Sequence, residues 1–148
     1  MRSVLLSTIL SLVSINLGCN KGCKDMNAHH EASESLSVLG QELGLDFPPS
    51  TRVVGIRRES GIDDAVQAKL EMGKEEFAGF FAKTPVDRSS MRPGTGGFLG
   101  SDVDFWDPHK APALKTGQAQ RSGRRSLNIG VDESRAEVVV VYIMQYRT

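Results

Sequence analysis

Two absences narrow the kinds of protein that this chain can be. Its only cysteines are Cys19 and Cys23, so a domain formed by the rest of the chain is held by its core, without a disulfide. The chain also lacks an excess of charge, since 18 lysines and arginines match 18 aspartates and glutamates. A balanced charge does not favour a broad phosphate-binding surface, and we therefore expect no nucleic-acid partner.

Long apolar runs are also absent. The apolar stretch from Val4 to Ile15 is interrupted only by Ser and Thr, and it is too short to cross a bilayer, which takes about 20 residues. It follows Met1 and the positively charged Arg2. A positive start followed by an apolar segment of this length is typical of a secretory signal peptide. We interpret residues 1–18 as a signal peptide, with a buried N-terminal helix as the alternative.

The segment ends in Leu17-Gly18-Cys19, which resembles the lipobox of bacterial lipoprotein signal peptides. The resemblance covers the leader alone and implies cleavage before Cys19, acylation of that cysteine and anchoring to a membrane of the cell envelope through the lipid. Asn16 and Gly18 also suit ordinary signal peptidase, so plain secretion is the alternative. In that case Cys19 is free to form a disulfide with Cys23.

The remainder of the chain has room for one domain. Residues 19–32 are polar and lack periodicity, which predicts a tether between the envelope and a domain over 33–148. At the start of that domain, leucines that recur at helical spacing predict a short helix over 33–43. These leucines are Leu36, Leu39 and Leu43.

The first half of the domain shows clear periodicity. Residues 51–58 are rich in strand formers, and residues 66–72 alternate between apolar and polar, which predicts two strands. A helix is predicted over 74–83, where Phe77, Phe80 and Phe81 fall on one side. We expect these rings to pack on the apolar face of the second strand, which consists of Val66, Ala68, Leu70 and Met72.

The second half begins with a long loop, predicted over 84–125 because this segment is rich in Gly, Pro, Ser and Asp. Strands are predicted over 127–131 and 137–146. The last is apolar on both faces, so the helix at Leu36 or the loop at Trp106 must cover its far side. The order β-β-α-long loop-β-β predicts a single small α+β domain with a four-stranded, mainly antiparallel sheet and helical cover.

The long loop holds the few residues that suggest chemistry. Its glycine-rich segment, 93–100, lacks the spacing of a phosphate-binding loop and is interpreted as a flexible connection. Asp102, Asp104 and Asp107 supply oxygen ligands of the kind that bind Ca²⁺, but without the glycine and terminal glutamate of a helix–loop–helix site. They are weak metal candidates, and we expect no cofactor. A small hydrolase using these carboxylates and His109 is the catalytic alternative.

Two further features bear on binding. Phe105 and Trp106 are candidates for an exposed aromatic anchor for a partner, because aromatic residues dominate binding hot spots. The alternative is that both rings cover the open sheet face. Arg121, Arg124 and Arg125 form a short basic run, interpreted as a solvated loop with an anionic partner as the alternative.

We therefore expect an exported, lipid-anchored cell-envelope protein with a non-catalytic binding or protective role. Its membrane contact is the lipid on Cys19, and its protein or small-molecule partner is not indicated by the sequence. An immunity or inhibitor protein of the envelope belongs to the same class. The question of enzymatic activity stays open, with a small exported hydrolase or metal-dependent enzyme using residues 101–109 as the alternative.

Overall fold

A computed structural model of the chain describes residues 36–60, 64–98 and 103–147. The predicted signal peptide (1–18), the predicted tether (19–32) and Asp102 lie outside the described residues, as do the lipidation and disulfide predictions at Cys19. In the described part, no helix is long and apolar enough to cross a membrane.

The described domain is built on one antiparallel sheet of six strands. The strands are β1 (Arg52–Glu59), β2 (Ala65–Gly73), β3 (Arg92–Pro93), β4 (Lys115–Arg121), β5 (Arg125–Asp132) and β6 (Val138–Arg147). Their spatial order is β1-β2-β6-β5-β4-β3. The long, apolar strand β6 therefore lies in the middle, between β2 and β5, as its burial requires.

Two helices accompany the sheet in the part of the chain that the structure describes. Residues 36–43 form the described part of α1, and Lys74–Ala82 form α2. Helix α2 starts directly after β2, and its first turn carries Glu75 and Glu76, whose charge suits the positive end of the helix dipole. Short 3₁₀ turns cover Arg88–Ser90 and Pro108–Lys110.

The prediction of a four-stranded sheet with an irregular loop over 84–125 is wrong, because this segment contains β3 and β4. Strand β4 is largely polar and none of its residues is buried except Thr116. Such a strand lacks the apolar alternation that marks a half-buried strand in sequence. Its pairing with β5, from Lys115↔Val131 to Arg121↔Arg125, holds it in the sheet.

One face of the sheet carries the larger core. The apolar face of β2 packs there with Phe77, Phe80 and Phe81 of α2, which confirms the packing predicted for these rings. Leu39 and Leu43 of α1 join the same core, and both are completely buried. Helix α1 therefore does not cover the far face of β6.

The opposite face is covered by the segment that contains Trp106, as the apolar strand β6 requires. Its core consists of Trp106, Leu114, Val140, Tyr142 and Met144. The rings of Phe98 and Phe105 reach the sheet surface at glycines. A side chain at Gly55 would collide with Phe105, and one at Gly130 would collide with Phe98.

Candidate functional site

A cleft opens at one end of the sheet, where β1 and β6 end and β2 and β5 begin. Its volume is about 280 Å³. We call it the sheet-end cleft. Its walls are predominantly polar and charged, and they consist of Glu42, Arg58, Glu59, Ser60, Asp64, Ala65, Val66, Arg125, Gln145, Tyr146 and Arg147.

Strand pairing brings three arginines side by side next to this cleft. Arg121 of β4 faces Arg125 of β5, and Arg125 faces Arg147 of β6. Directly opposed residues on antiparallel strands have their Cβ atoms about 5 Å apart. We call these residues the arginine row. Like charges placed directly opposite each other destabilise a sheet. We therefore expect the arginine row to have partners that offset the repulsion between its guanidinium groups.

Arg121 has such partners within the fold. Its guanidinium group donates to the carbonyl oxygens of Leu43 and Gly44, at the end of α1, and to Oε1 of Gln145. Helix ends leave carbonyl groups without helical partners, and Arg121 satisfies two of them. Gly44 permits this approach because its φ is +56° and a side chain there would press on the guanidinium group.

The acidic residues of the cleft also have partners. Oε2 of Glu42 accepts a hydrogen bond of 2.9 Å from Nε of Arg58, and Nη2 of Arg58 forms an ion pair with the same oxygen, also at 2.9 Å. Glu59 forms an ion pair with Arg57 on its own strand. These carboxylates are therefore neutralised by arginines outside the arginine row.

Arg125 and Arg147 differ from Arg121 in this respect. Across residues 36–60, 64–98 and 103–147, neither guanidinium group forms an ion pair with a carboxylate. Both side chains line the cleft and both residues are exposed. Two guanidinium groups thus line the same concave surface. Paired guanidinium groups are suited to bind carboxylate or phosphate, because their donors match the oxygen geometry.

The residues singled out by sequence lie elsewhere, on the face that carries Trp106. Trp106 is only 3% exposed and meets Phe98 and Tyr142 edge to face. Phe105 is half-buried against Gly55. For Trp106 the geometry matches the alternative interpretation, in which the ring covers the sheet.

Asp107 is part of a hydrogen-bonded network that fixes this segment to the sheet. Its Oδ1 accepts from Nζ of Lys69 at 2.5 Å and from the hydroxyl of Tyr142 at 2.9 Å. Burial opposes ionisation, but the hydrogen bonds from Lys69 and Tyr142 outweigh it and lower the pKa of Asp107. Burial and the hydrogen bond to Asp107 raise the pKa of Tyr142 well above its ordinary value.

Those of the predicted metal and hydrolase residues that the structure describes, Asp104, Asp107 and His109, do not form a metal site. Asp104 is exposed, His109 is exposed in the 3₁₀ turn Pro108–Lys110, and Asp107 is bound to Lys69. Among the described residues, no group of three or more His, Cys, Asp or Glu side chains is arranged to hold a metal ion.

The Asp107 network makes stability depend on pH. Because the folded state lowers the pKa of Asp107, the ionised carboxylate stabilises the fold above its ordinary pKa, and this contribution is lost as pH falls through the folded value. We expect Asp107→Asn to lower the free energy of unfolding at pH 7, and the difference from wild type to shrink towards pH 3. Urea unfolding at pH 7, 5 and 3 measures this. A difference that stays constant with pH would contradict it.

Comparison of the chain with protein-family models, with curated proteins and with solved structures finds no match. The functional argument therefore depends on the geometry of the site.

Sequence analysis identifies only part of the sheet-end cleft. Arg125 belongs to the basic run noted above, but nothing in the sequence marks Arg58 or Arg147. Arg147 ends a strand whose other residues are apolar except for Gln145, and it faces Arg125 only through the register of β5 and β6. A correct pairing of these two strands is the signal that would have found it.

Proposed function

We propose that the protein is an exported, non-catalytic binding protein, and that the sheet-end cleft binds an anionic ligand through Arg125 and Arg147. The observation that carries the proposal is the direct opposition of these two arginines without a carboxylate partner among the described residues. An ion pair inside the fold is the usual way to offset like-charge repulsion. A bound anion offsets it equally well and supplies the missing acceptor.

The neighbouring ion pairs support a binding role for the same two residues. Arg58 is held by Glu42 through a hydrogen bond and an ion pair, both at 2.9 Å, and Arg121 is held at the end of α1. These contacts fix the walls of the cleft before a ligand arrives. A preformed site loses less conformational entropy on binding, which favours affinity.

The second part of the proposal concerns the cellular location of the protein. We infer export from residues 1–18 and anchoring through a lipid on Cys19, which places the domain at the cell envelope. The intact mass of the N-terminal peptide, isolated from a Gram-negative host, tests this part. Acyl chains on Cys19 support the anchor. An unmodified peptide that begins after the leader removes the anchor but retains export, and a peptide that retains residues 1–18 contradicts both.

Binding of an anion predicts stabilisation by that anion. We expect inorganic phosphate to raise the melting temperature of the purified protein in a saturable way, compared with sodium chloride at equal ionic strength. At a phosphate concentration ten times Kd the gain is about 1.4 kcal/mol, a shift of several degrees for a domain of this size. Differential scanning fluorimetry measures it.

Saturation is the decisive property of this titration. Phosphate also stabilises proteins by exclusion from their surfaces, and that effect rises with concentration without a plateau. The control variant is Arg92→Gln, because Arg92 lies on the far edge strand β3 and its guanidinium group binds the backbone oxygens of Ser89 and Met91. It should respond as wild type does. A linear, unsaturable response in the wild-type protein would overturn the proposed binding.

A further inference from the structure

We propose that the ligand of the sheet-end cleft is a compact acidic sugar, in which a single oxyanion, carboxylate or phosphate, is carried on a hydroxylated ring. The proposal rests on the proposed function, because it names the class of anion that Arg125 and Arg147 bind. Three properties of the cleft lead to it: its size, the state of its carboxylates and the chemistry of its remaining walls.

The size of the cleft restricts the ligand to a small molecule or to one terminal unit of a larger one. Its volume of about 280 Å³ lies just below the range of about 300–1,000 Å³ that is typical of pockets for drug-sized ligands. One six-membered ring with its substituents suits such a space. A folded partner protein would instead need a broad contact surface.

The ion pairs of the carboxylates in the cleft indicate which net charge the ligand carries. Two of the three carboxylates that line the cleft, Glu42 and Glu59, are neutralised by Arg58 and Arg57. An ammonium group would find these two counter-charges already engaged, which disfavours a zwitterion such as a free amino acid. An oxyanion meets Arg125 and Arg147, so the favoured ligand is a net anion.

The other residues that line the cleft indicate the chemistry of the part of the ligand that carries the oxyanion. The cleft offers the hydroxyl of Ser60 and the amide of Gln145, whose Oε1 already accepts from Arg121, and its apolar residues are Ala65, Val66 and Tyr146. A carboxylate in an ion pair keeps free lone pairs, so Glu42 and Glu59 still accept hydrogen bonds from hydroxyl groups. A hydroxylated body satisfies these acceptors, whereas an alkyl chain would leave them without donors.

Isothermal titration calorimetry of the purified protein tests the ligand class. The probes are glucuronate, glucose 6-phosphate, glucose, hexanoate, glycine and inorganic phosphate. We expect glucuronate or glucose 6-phosphate to bind at least tenfold more tightly than hexanoate, glucose, glycine and phosphate. The tighter of the two sugar anions identifies the oxyanion as carboxylate or phosphate. Arg125→Gln/Arg147→Gln should abolish this binding, and Arg92→Gln should leave it unchanged.

The outcomes separate this inference from the proposed function. Equal affinity for glucuronate, glucose 6-phosphate and hexanoate would overturn the acidic-sugar class and leave anion binding in place. Tighter binding of glycine than of either sugar anion would overturn it in favour of a zwitterion. If none of the anions, phosphate included, binds in a way that depends on Arg125 and Arg147, the proposed function fails together with the inference.

Discussion

Replacing Trp106 with alanine is expected to lower the free energy of unfolding by about 3–5 kcal/mol, the range observed for large aromatic residues removed from a core. Trp106 is 3% exposed. Its ring centroid lies 5.3 Å from that of Phe98 and 5.7 Å from that of Tyr142, both in edge-to-face contact. Such contacts add to the stability gained from burial alone. Without the indole, the side chains of β6 that face away from α2 would lose the ring that packs on them.

Urea unfolding of wild type, Trp106→Ala and Val38→Ala measures this effect. Val38 is the matched control, because it is an apolar residue of α1 whose exposure is 51%, and its removal should leave stability nearly unchanged. Trp106→Phe provides a milder variant in case the alanine variant does not fold. Wild-type stability in Trp106→Ala would contradict the packing role and would favour a partner-binding role for the indole.

The double variant Arg125→Gln/Arg147→Gln is expected to lose the saturable stabilisation by phosphate completely. In the absence of phosphate it should be as stable as wild type, or more stable by a few tenths of a kcal/mol, because it relieves the repulsion between directly opposed like charges. Replacing an arginine that stabilises the fold would instead lower the free energy of unfolding. Loss of binding without loss of stability is the signature of residues kept for a ligand.

Arg121→Gln is the matched comparison within the arginine row. Arg121 binds the carbonyl oxygens of Leu43 and Gly44, so its replacement should lower stability by about 1–3 kcal/mol, since it leaves the part-buried carbonyl oxygen of Leu43 without its donor. Urea unfolding and phosphate titration of both variants distinguish the two roles. If the double variant is destabilised by as much as Arg121→Gln, then Arg125 and Arg147 are structural and the binding role is contradicted.

The elements that sequence predicts well are those whose side chains follow a period. Strand β2 alternates between apolar and polar residues, and α2 places Phe77, Phe80 and Phe81 on one side, so their mutual packing is predictable. Strand β4 is not predictable in this way. Its sequence from Lys115 to Arg121 contains one apolar side chain, that of Ala119, and its place in the sheet is decided by hairpin pairing with β5. Backbone pairing of this kind leaves no periodic mark on the side chains.

The sheet-end cleft is less predictable than the fold, because it depends on the arrangement of strands that are distant in sequence. Arg58 and Arg147 lie far apart in the chain, and their approach to one cleft depends on the spatial order of β1, β2, β6 and β5. A register shifted by one residue would place Arg147 on the other face of the sheet. Trp106 illustrates the opposite case. The sequence shows that β6 is apolar on both faces and must be covered, and the indole of Trp106 packs on one of these faces.

The most direct test of the proposed binding site is a phosphate titration of the isotopically labelled protein followed by two-dimensional NMR. The account predicts saturable shifts that are concentrated at the backbone amides of Arg125, Arg147 and their neighbours at residues 58–60 and 64–66, and that are absent from the double variant. Saturable shifts centred instead on residues 103–111, or no saturable shifts at all, would contradict the assignment of the sheet-end cleft as the binding site.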